Sequence, residues 1–192
     1  MTSPRPRLGL LAAACGIAVF VAACTDTLGL PVASNENIVD TVSLWALDGT
    51  ALSLPSGYKL ANKDINKGVV RTDRSSDLDF AFNVDTLGRL VFLPTGALGL
   101  GIGSGLHRTG ATFEAIRTPP TSGFTSDSAF VFDTGTVAVV RSRPGCSLGA
   151  SIFFYAKLKV LAYDSVERRV DFEILVNANC GYRSLQPGVP HS

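Results

Sequence analysis

Leu78, Phe80, Phe82 and Val84 alternate with Asp79, Ala81 and Asn83. A period of two fits a half-buried strand, because a helix brings side chains to one face every three or four residues. Similar stretches recur, each closed by a turn signal. Residues 38–47 read as a first strand, with Val42, Leu44 and Ala46 on one face. Asp48-Gly49 is a two-residue hairpin signal, so 51–54 is expected to return as its partner before Pro55. Residues 58–60 and 69–71 are short strand candidates. The turn at 85–88 leads into a returning strand at 89–93. Residues 111–117 alternate weakly. Residues 129–132 and 136–141 flank Asp133-Thr134-Gly135 as a further hairpin, and 151–163 and 168–176 flank a turn at 164–167. No segment of the mature chain holds a helical period; the nearest to a helical turn is 61–67. Strands spaced by turns predict an all-β domain of roughly seven to nine strands. An antiparallel β-sandwich is the expected architecture, with a β-barrel as the alternative.

The N-terminus has a different pattern. Residues 1–7 carry Arg5 and Arg7, and 8–23 form a 16-residue apolar run. That run falls short of the ~20 residues a membrane-spanning helix needs and has the layout of a signal peptide. It ends on Val21-Ala22-Ala23-Cys24. These four residues resemble the lipobox of bacterial lipoproteins: a branched residue, two small residues and a cysteine. The resemblance implies cleavage before Cys24 and acylation of its thiol and new amine, so that the membrane is a partner through lipid on Cys24. Two or three chains would anchor stably where one would not. It also implies a cell-envelope location. Thr25 follows the cysteine, whereas an Asp there marks inner-membrane retention in enteric bacteria, so the outer membrane is favoured. The resemblance covers the signal alone. The expected organisation is a signal-peptide helix at 1–23, a flexible tether at 24–37 and one β domain at 38–192.

An exported chain meets an oxidising compartment. Cys15 leaves with the signal and Cys24 is lipidated, so Cys146 and Cys180 remain. A single disulfide is their natural pairing, contributing about 3 kcal/mol on the chain-entropy model; two inert buried thiols or a redox pair are the alternatives, and the absence of a CxxC spacing disfavours the redox pair. Without Arg5 and Arg7 the mature chain has fifteen basic and sixteen acidic side chains. That balance excludes a nucleic-acid partner held by phosphate charge. Two histidines, His107 and His191, far apart in sequence, point to no metal site, and no cofactor is expected.

Phe132-Asp133-Thr134-Gly135-Thr136 resembles the aspartic-protease signature, in which the Asp shares a proton with a second Asp and activates water. The resemblance would make Asp133 catalytic, in a homodimer, since the triplet occurs once. Val137 departs from the family's small or polar residue, and turn chemistry between two strands also accounts for the tripeptide. Residues 96–105, from Gly96 to Gly105, repeat glycine with a period of two, without the spacing of a nucleotide loop. They read either as an extended segment with one bare face or as a flexible loop. Arg141, Arg143, Lys157 and Lys159, with Arg168 and Arg169, form a candidate basic patch or an ordinary solvated strand face. Trp45 reads as core or sheet surface. The expected function is that of a non-catalytic binding or structural module of the envelope, with an envelope protein as a partner. The alternatives are a carrier of apolar ligands in a β-barrel cavity lined by the 152–155 aromatic run, and a dimeric aspartic protease using Asp133.

Overall fold

The computed structural model describes residues 31–62, 66–101, 103–146 and 152–191. The Val21–Cys24 box and the signal segment lie outside the described residues. The strands are β1 (Val39–Trp45), β2 (Gly57–Tyr58), β3 (Val69–Val70), β4 (Phe80–Val84), β5 (Leu90–Pro94), β6 (Gly105–Arg108), β7 (Phe130–Phe132), β8 (Val137–Pro144), β9 (Phe153–Asp164) and β10 (Arg169–Asn177). They form two five-stranded antiparallel sheets, ordered β1-β10-β9-β8-β6 and β3-β2-β4-β5-β7. Both sheets are open, so the architecture is the sandwich and not the barrel.

The alternation at 78–84 explains the core. β4 turns Phe80 and Phe82 inward, β5 adds Phe92 and β7 adds Phe132, while Phe172 of β10 meets them from the larger sheet. The Phe92 and Phe132 rings stack with centroids 4.2 Å apart, and Phe80 meets Phe92 edge-on at 5.1 Å. Each of these side chains is fully buried or nearly so, and burying one Phe stabilises by about 1.5–3 kcal/mol. The aromatic run at 152–155 does not line the interior of a barrel. β9 alternates, so Phe154 joins this core while Phe153 and Tyr155 face the outer side of the sheet.

Two expected hairpins are corners. The chain does bend after Asp48, but 51–54 forms no strand. β10 offers β1 a seven-residue register from Val39↔Leu175 to Trp45↔Arg169, which the short segment before Pro55 does not match. Leu47 instead donates its N–H to the Phe82 carbonyl of the other sheet. Likewise β7 pairs with β5, not β8, so Asp133-Thr134-Gly135 carries the chain from one sheet to the other. Residues 111–117 are a loop and not a strand: Phe113 and Ile116, three apart, are the ones buried. The expected helical turn is two 3-10 turns, Leu60–Asn62 and Asn66–Gly68.

Ahead of β1 the chain is held rather than free. Ala33 N–H donates to the Tyr182 hydroxyl, Ser34 and Asn35 donate to Asn179 Oδ1, and Asn37 exchanges backbone bonds with Gly188. The docked part of the expected tether therefore begins at Ala33.

Candidate functional site

The strand registers define two ends of the sandwich. One end carries the start of β1, the end of β10 and the β8–β9 connection. Cys146 and Cys180 join there as a disulfide, with Cα atoms 5.7 Å apart. A cleft of about 440 Å³ opens beside them, walled by Lys59, Asp77, Gly101, Gly103, Arg143 and Phe154. Asp79 forms its floor. The residue is 3% exposed. Its Oδ2 accepts the Leu60 N–H at 2.8 Å and its Oδ1 accepts the Arg143 N–H at 2.8 Å. Burial raises the Asp79 carboxyl above its usual range against the pull of those two donors. Above it, Asp77 bridges Lys59 and Arg143, and the hydrogen bond from Lys59 is the main cause of its lowered pKa. The arrangement can hold a polar group by ion pairs and hydrogen bonds. Asp79 itself is committed to the backbone, locking the turn at Leu60 to the end of β8.

The 96–105 segment is a wall of this region. Residues 96–99 are turn, and among the described residues of the segment only Gly105 enters a strand. A Cβ on Gly96 would lie 2.2 Å from the Ser126 carbonyl oxygen, and one on Gly105 would lie 2.6 Å from Ser126 Oγ. These two glycines are required because residues 124–127 cross so close.

The other end gathers the corner at Asp48, the turn at 85–88, the turn at 164–168 and Asp133. Asp133 is exposed. Its backbone N–H is held by Thr136 Oγ1 at 3.1 Å, and its carboxylate takes no part in the turn. His107 and His191 do not converge: His107 Nδ1 lies 2.9 Å from the Gly123 carbonyl, and His191 is exposed in the tail. Among the described residues no group of three His, Cys, Asp or Glu side chains could hold a metal ion.

The basic residues form no common patch. Arg143 belongs to the cleft. Lys159 pairs with Glu173, Arg169 with Asp171, and Arg168 Nε donates to the Asp48 carbonyl. Trp45 lies at the sheet surface, where the Arg169 guanidinium sits 5.9 Å from its ring centroid. Arg141 is sandwiched by Phe124 and Phe153, its guanidinium 4.9 and 4.7 Å from their ring centroids. Lys157, 3% exposed, donates to the Ile116 carbonyl at 3.0 Å and sits 4.7 Å from the Phe113 centroid. Arg183 stacks on Tyr155 and donates to the carbonyls of Pro119 and Pro120. These three cations secure the 109–124 loop over a second small core of Phe113, Ile116, Val139, Tyr155, Leu175 and Leu185.

Sequence reasoning missed Lys59, Asp77 and Asp79 as a cluster. Asp79 reads there as the solvent side of a strand, and only its position one residue before the fully buried Phe80 hints otherwise. It missed Lys157 as a buried loop anchor, although a lysine inside an apolar run is a signal of that kind. No protein-family model matches the chain, and no curated protein matches it.

Proposed function

We propose that this is a lipid-anchored protein of the bacterial cell envelope, favouring the outer membrane, whose sandwich serves as a non-catalytic binding or structural module. The observation that supports this reading is the braced end. From Cys24 the chain reaches Ala33 within nine residues, about 30 Å when fully extended. It is then held by Asn179, Tyr182 and Gly188 beside the Cys146–Cys180 disulfide. A pull on the anchor therefore enters a cross-linked part of the domain and not a free strand end. The filled aromatic interior favours this reading over a carrier of apolar ligands. The exposed Asp133 favours it over an acid protease.

Intact mass of the protein extracted from membranes tests it. The expected chain begins at Cys24, carries a lipid-sized increment, and is alkylated at Cys146 and Cys180 only after reduction. A chain without lipid overturns the anchor, and cleavage of a peptide library at acid pH that is lost in Asp133→Asn overturns the non-catalytic reading.

A further inference from the structure

We propose that the free edge of β1 is a self-pairing surface, on which the β1 of a second copy of this chain adds antiparallel to form a continuous ten-stranded sheet. The sandwich has four sheet edges, and three are short or occupied. β3 has two residues and β7 has three. Val131 on β7 accepts a hydrogen bond from Arg108. Leu106 on the four-residue β6 exchanges both backbone bonds with Thr125. β1 is bounded by the Asn37–Gly188 bridge ahead of it and the Trp45–Pro55 bond at its end, but its seven residues keep an unbroken register without lysine, proline or bulge. Those are the devices that ordinarily blunt an edge.

The direction of its backbone groups follows from two bonds. Trp45 N–H turns away from β10 to the Pro55 carbonyl, while Ala46 N–H turns toward the β10 side, to the Arg168 carbonyl. Alternation along an antiparallel strand then points the amides and carbonyls of Val39, Thr41 and Ser43 outward. Among the described residues no group pairs with those three amides. Val39 is 47% exposed, as is Ile38 before it.

A second copy fits this edge by its own sequence. Pairing Thr41 with Thr41 sets Val39 opposite Ser43 on both sides, so every outward amide meets an outward carbonyl. Cross-strand Thr–Thr pairs are favourable. Asp40, the only charge on β1, then faces Val42 and not another Asp40. Sliding by one pair in one direction would oppose the two carboxylates, and sliding in the other would set Val39 against Trp45, whose amide is already bonded to Pro55, so both shifts are disfavoured. The chain outside the structure agrees. In this register the two Val39 residues lie about 13 Å apart along the strands. Two nine-residue tethers of up to about 30 Å reach one membrane from there. A five-residue window of pairing is weak alone, and confinement to a shared membrane raises its effective concentration. In that respect the proposal rests on the lipid anchor.

Oxidative cross-linking of full-chain variants that each carry one added cysteine, in membranes, tests it. A hydrogen-bonded antiparallel pair sets Cα atoms about 5.5 Å apart, within disulfide reach. Thr41→Cys is expected to give disulfide-linked dimer at least about tenfold above Leu87→Cys, a control exposed at the far end. Val39→Cys and Ser43→Cys are expected to link to each other when co-produced, and each poorly to itself. Thr41→Cys linking no better than Leu87→Cys, or linking to a different polypeptide, overturns the proposal. So does equal self-linking by all three β1 variants, which would report collisions. Intact Cys146–Cys180 in each variant confirms folding. If the wild-type chain carries no lipid and Thr41→Cys still links in the register-specific pattern, the anchor falls and the edge pairing stands.

Discussion

Asp79 and Asp133 sit at opposite ends of the same sandwich, and the two ends are built by different means. At the disulfide end, Asp79 is buried and accepts bonds from Leu60 and from Arg143, 64 residues away. Asn179 receives Ser34 across 145 residues, and Cys180 reaches back to Cys146. At the turn end, each turn is closed by local bonds, and longer reaches such as Arg168 to the Asp48 carbonyl join one turn to the next. Asp85 holds Arg89 four residues on, Asp164 holds Glu167 three residues on, and the Asp133 amide is held by Thr136. Those turns can close as soon as their own few residues meet. The disulfide end forms only when the two halves of the chain have docked. Damage there should therefore unfold or loosen the domain, and damage at the turn end should stay local.

The largest expected effect comes from the cross-link. Cys146→Ser with Cys180→Ser should lower stability by about 3–4 kcal/mol on the chain-entropy model, or roughly 10 °C in Tm for a domain of this size. Urea and thermal melts of the double variant against wild type measure it. A loss below about 1 kcal/mol would mean that the hydrogen-bonded clasp alone holds this end, and the contrast between the ends would weaken.

Asn179→Ala comes next. Asn179 is 4% exposed, accepts from Ser34 and Asn35, and donates to the Asn35 carbonyl and Asn177 Oδ1. Truncation removes the partner of the part-buried Ser34 and Asn35 groups, while Asn177 Oδ1 keeps the Asn179 backbone N–H, and should cost about 1–2 kcal/mol. The effect has a place as well as a size: limited proteolysis should begin to cut within residues 33–36. A variant equally destabilised but still resistant there would show that the approach to β1 is held by Gly188 and Tyr182 without Asn179.

This difference also governs how much of the molecule is legible in the sequence. Alternation in β4 and β10 exposes the aromatic core because the period of a strand is a local property. Asp48-Gly49 and Asp133-Thr134-Gly135 are legible as bends for the same reason. What they join is not legible, since β10 and β5, the true partners, come from elsewhere in the chain. Cys146 and Cys180 are legible as a pair only because a lipobox resemblance implies export to an oxidising compartment. The Lys59–Asp77–Asp79–Arg143 cluster is the least legible feature. Its members look like ordinary surface charges until packing brings β4, β8 and a 3-10 turn together. The cations that hold the 109–124 loop hide in the same way, because Lys157 meets the Ile116 carbonyl only through the fold.

Two neighbouring carboxyls at the disulfide end should pull stability in opposite directions with pH. Asp77 has its folded pKa lowered, first by its hydrogen bond with Lys59. Its contribution is present above the unfolded pKa and is lost as pH falls. Asp79 has its folded pKa raised, first by burial. Its contribution is present below the unfolded pKa and is lost as pH rises through the folded value. Between about pH 3 and 7 the stability of wild type relative to Asp77→Asn should therefore increase with pH, and relative to Asp79→Asn it should decrease. Urea melts of the three proteins at stepped pH read both slopes. Two slopes of the same sign would mean that the backbone donors to Asp79 outweigh its burial.

The smallest expected effect is at the turn end, where charge and backbone can be separated. Asp133→Asn should change stability by less than about 0.5 kcal/mol. The bend is held by the Asp133 amide to Thr136 Oγ1, the Thr136 amide to the Asp133 carbonyl, and the Gly135 amide to the Val160 carbonyl. None of these uses the carboxylate. Gly135 has φ +85°, so Gly135→Ala should cost about 1 kcal/mol or more by straining the backbone, although no atom lies within 4 Å of the added methyl. The pair of variants thus asks which part of Asp-Thr-Gly matters. A costly glycine and an indifferent aspartate make the motif a corner between two sheets. A costly aspartate would mean that its carboxylate has work outside the turn, and the acid-dyad reading would return with a second copy as the place to look for its partner.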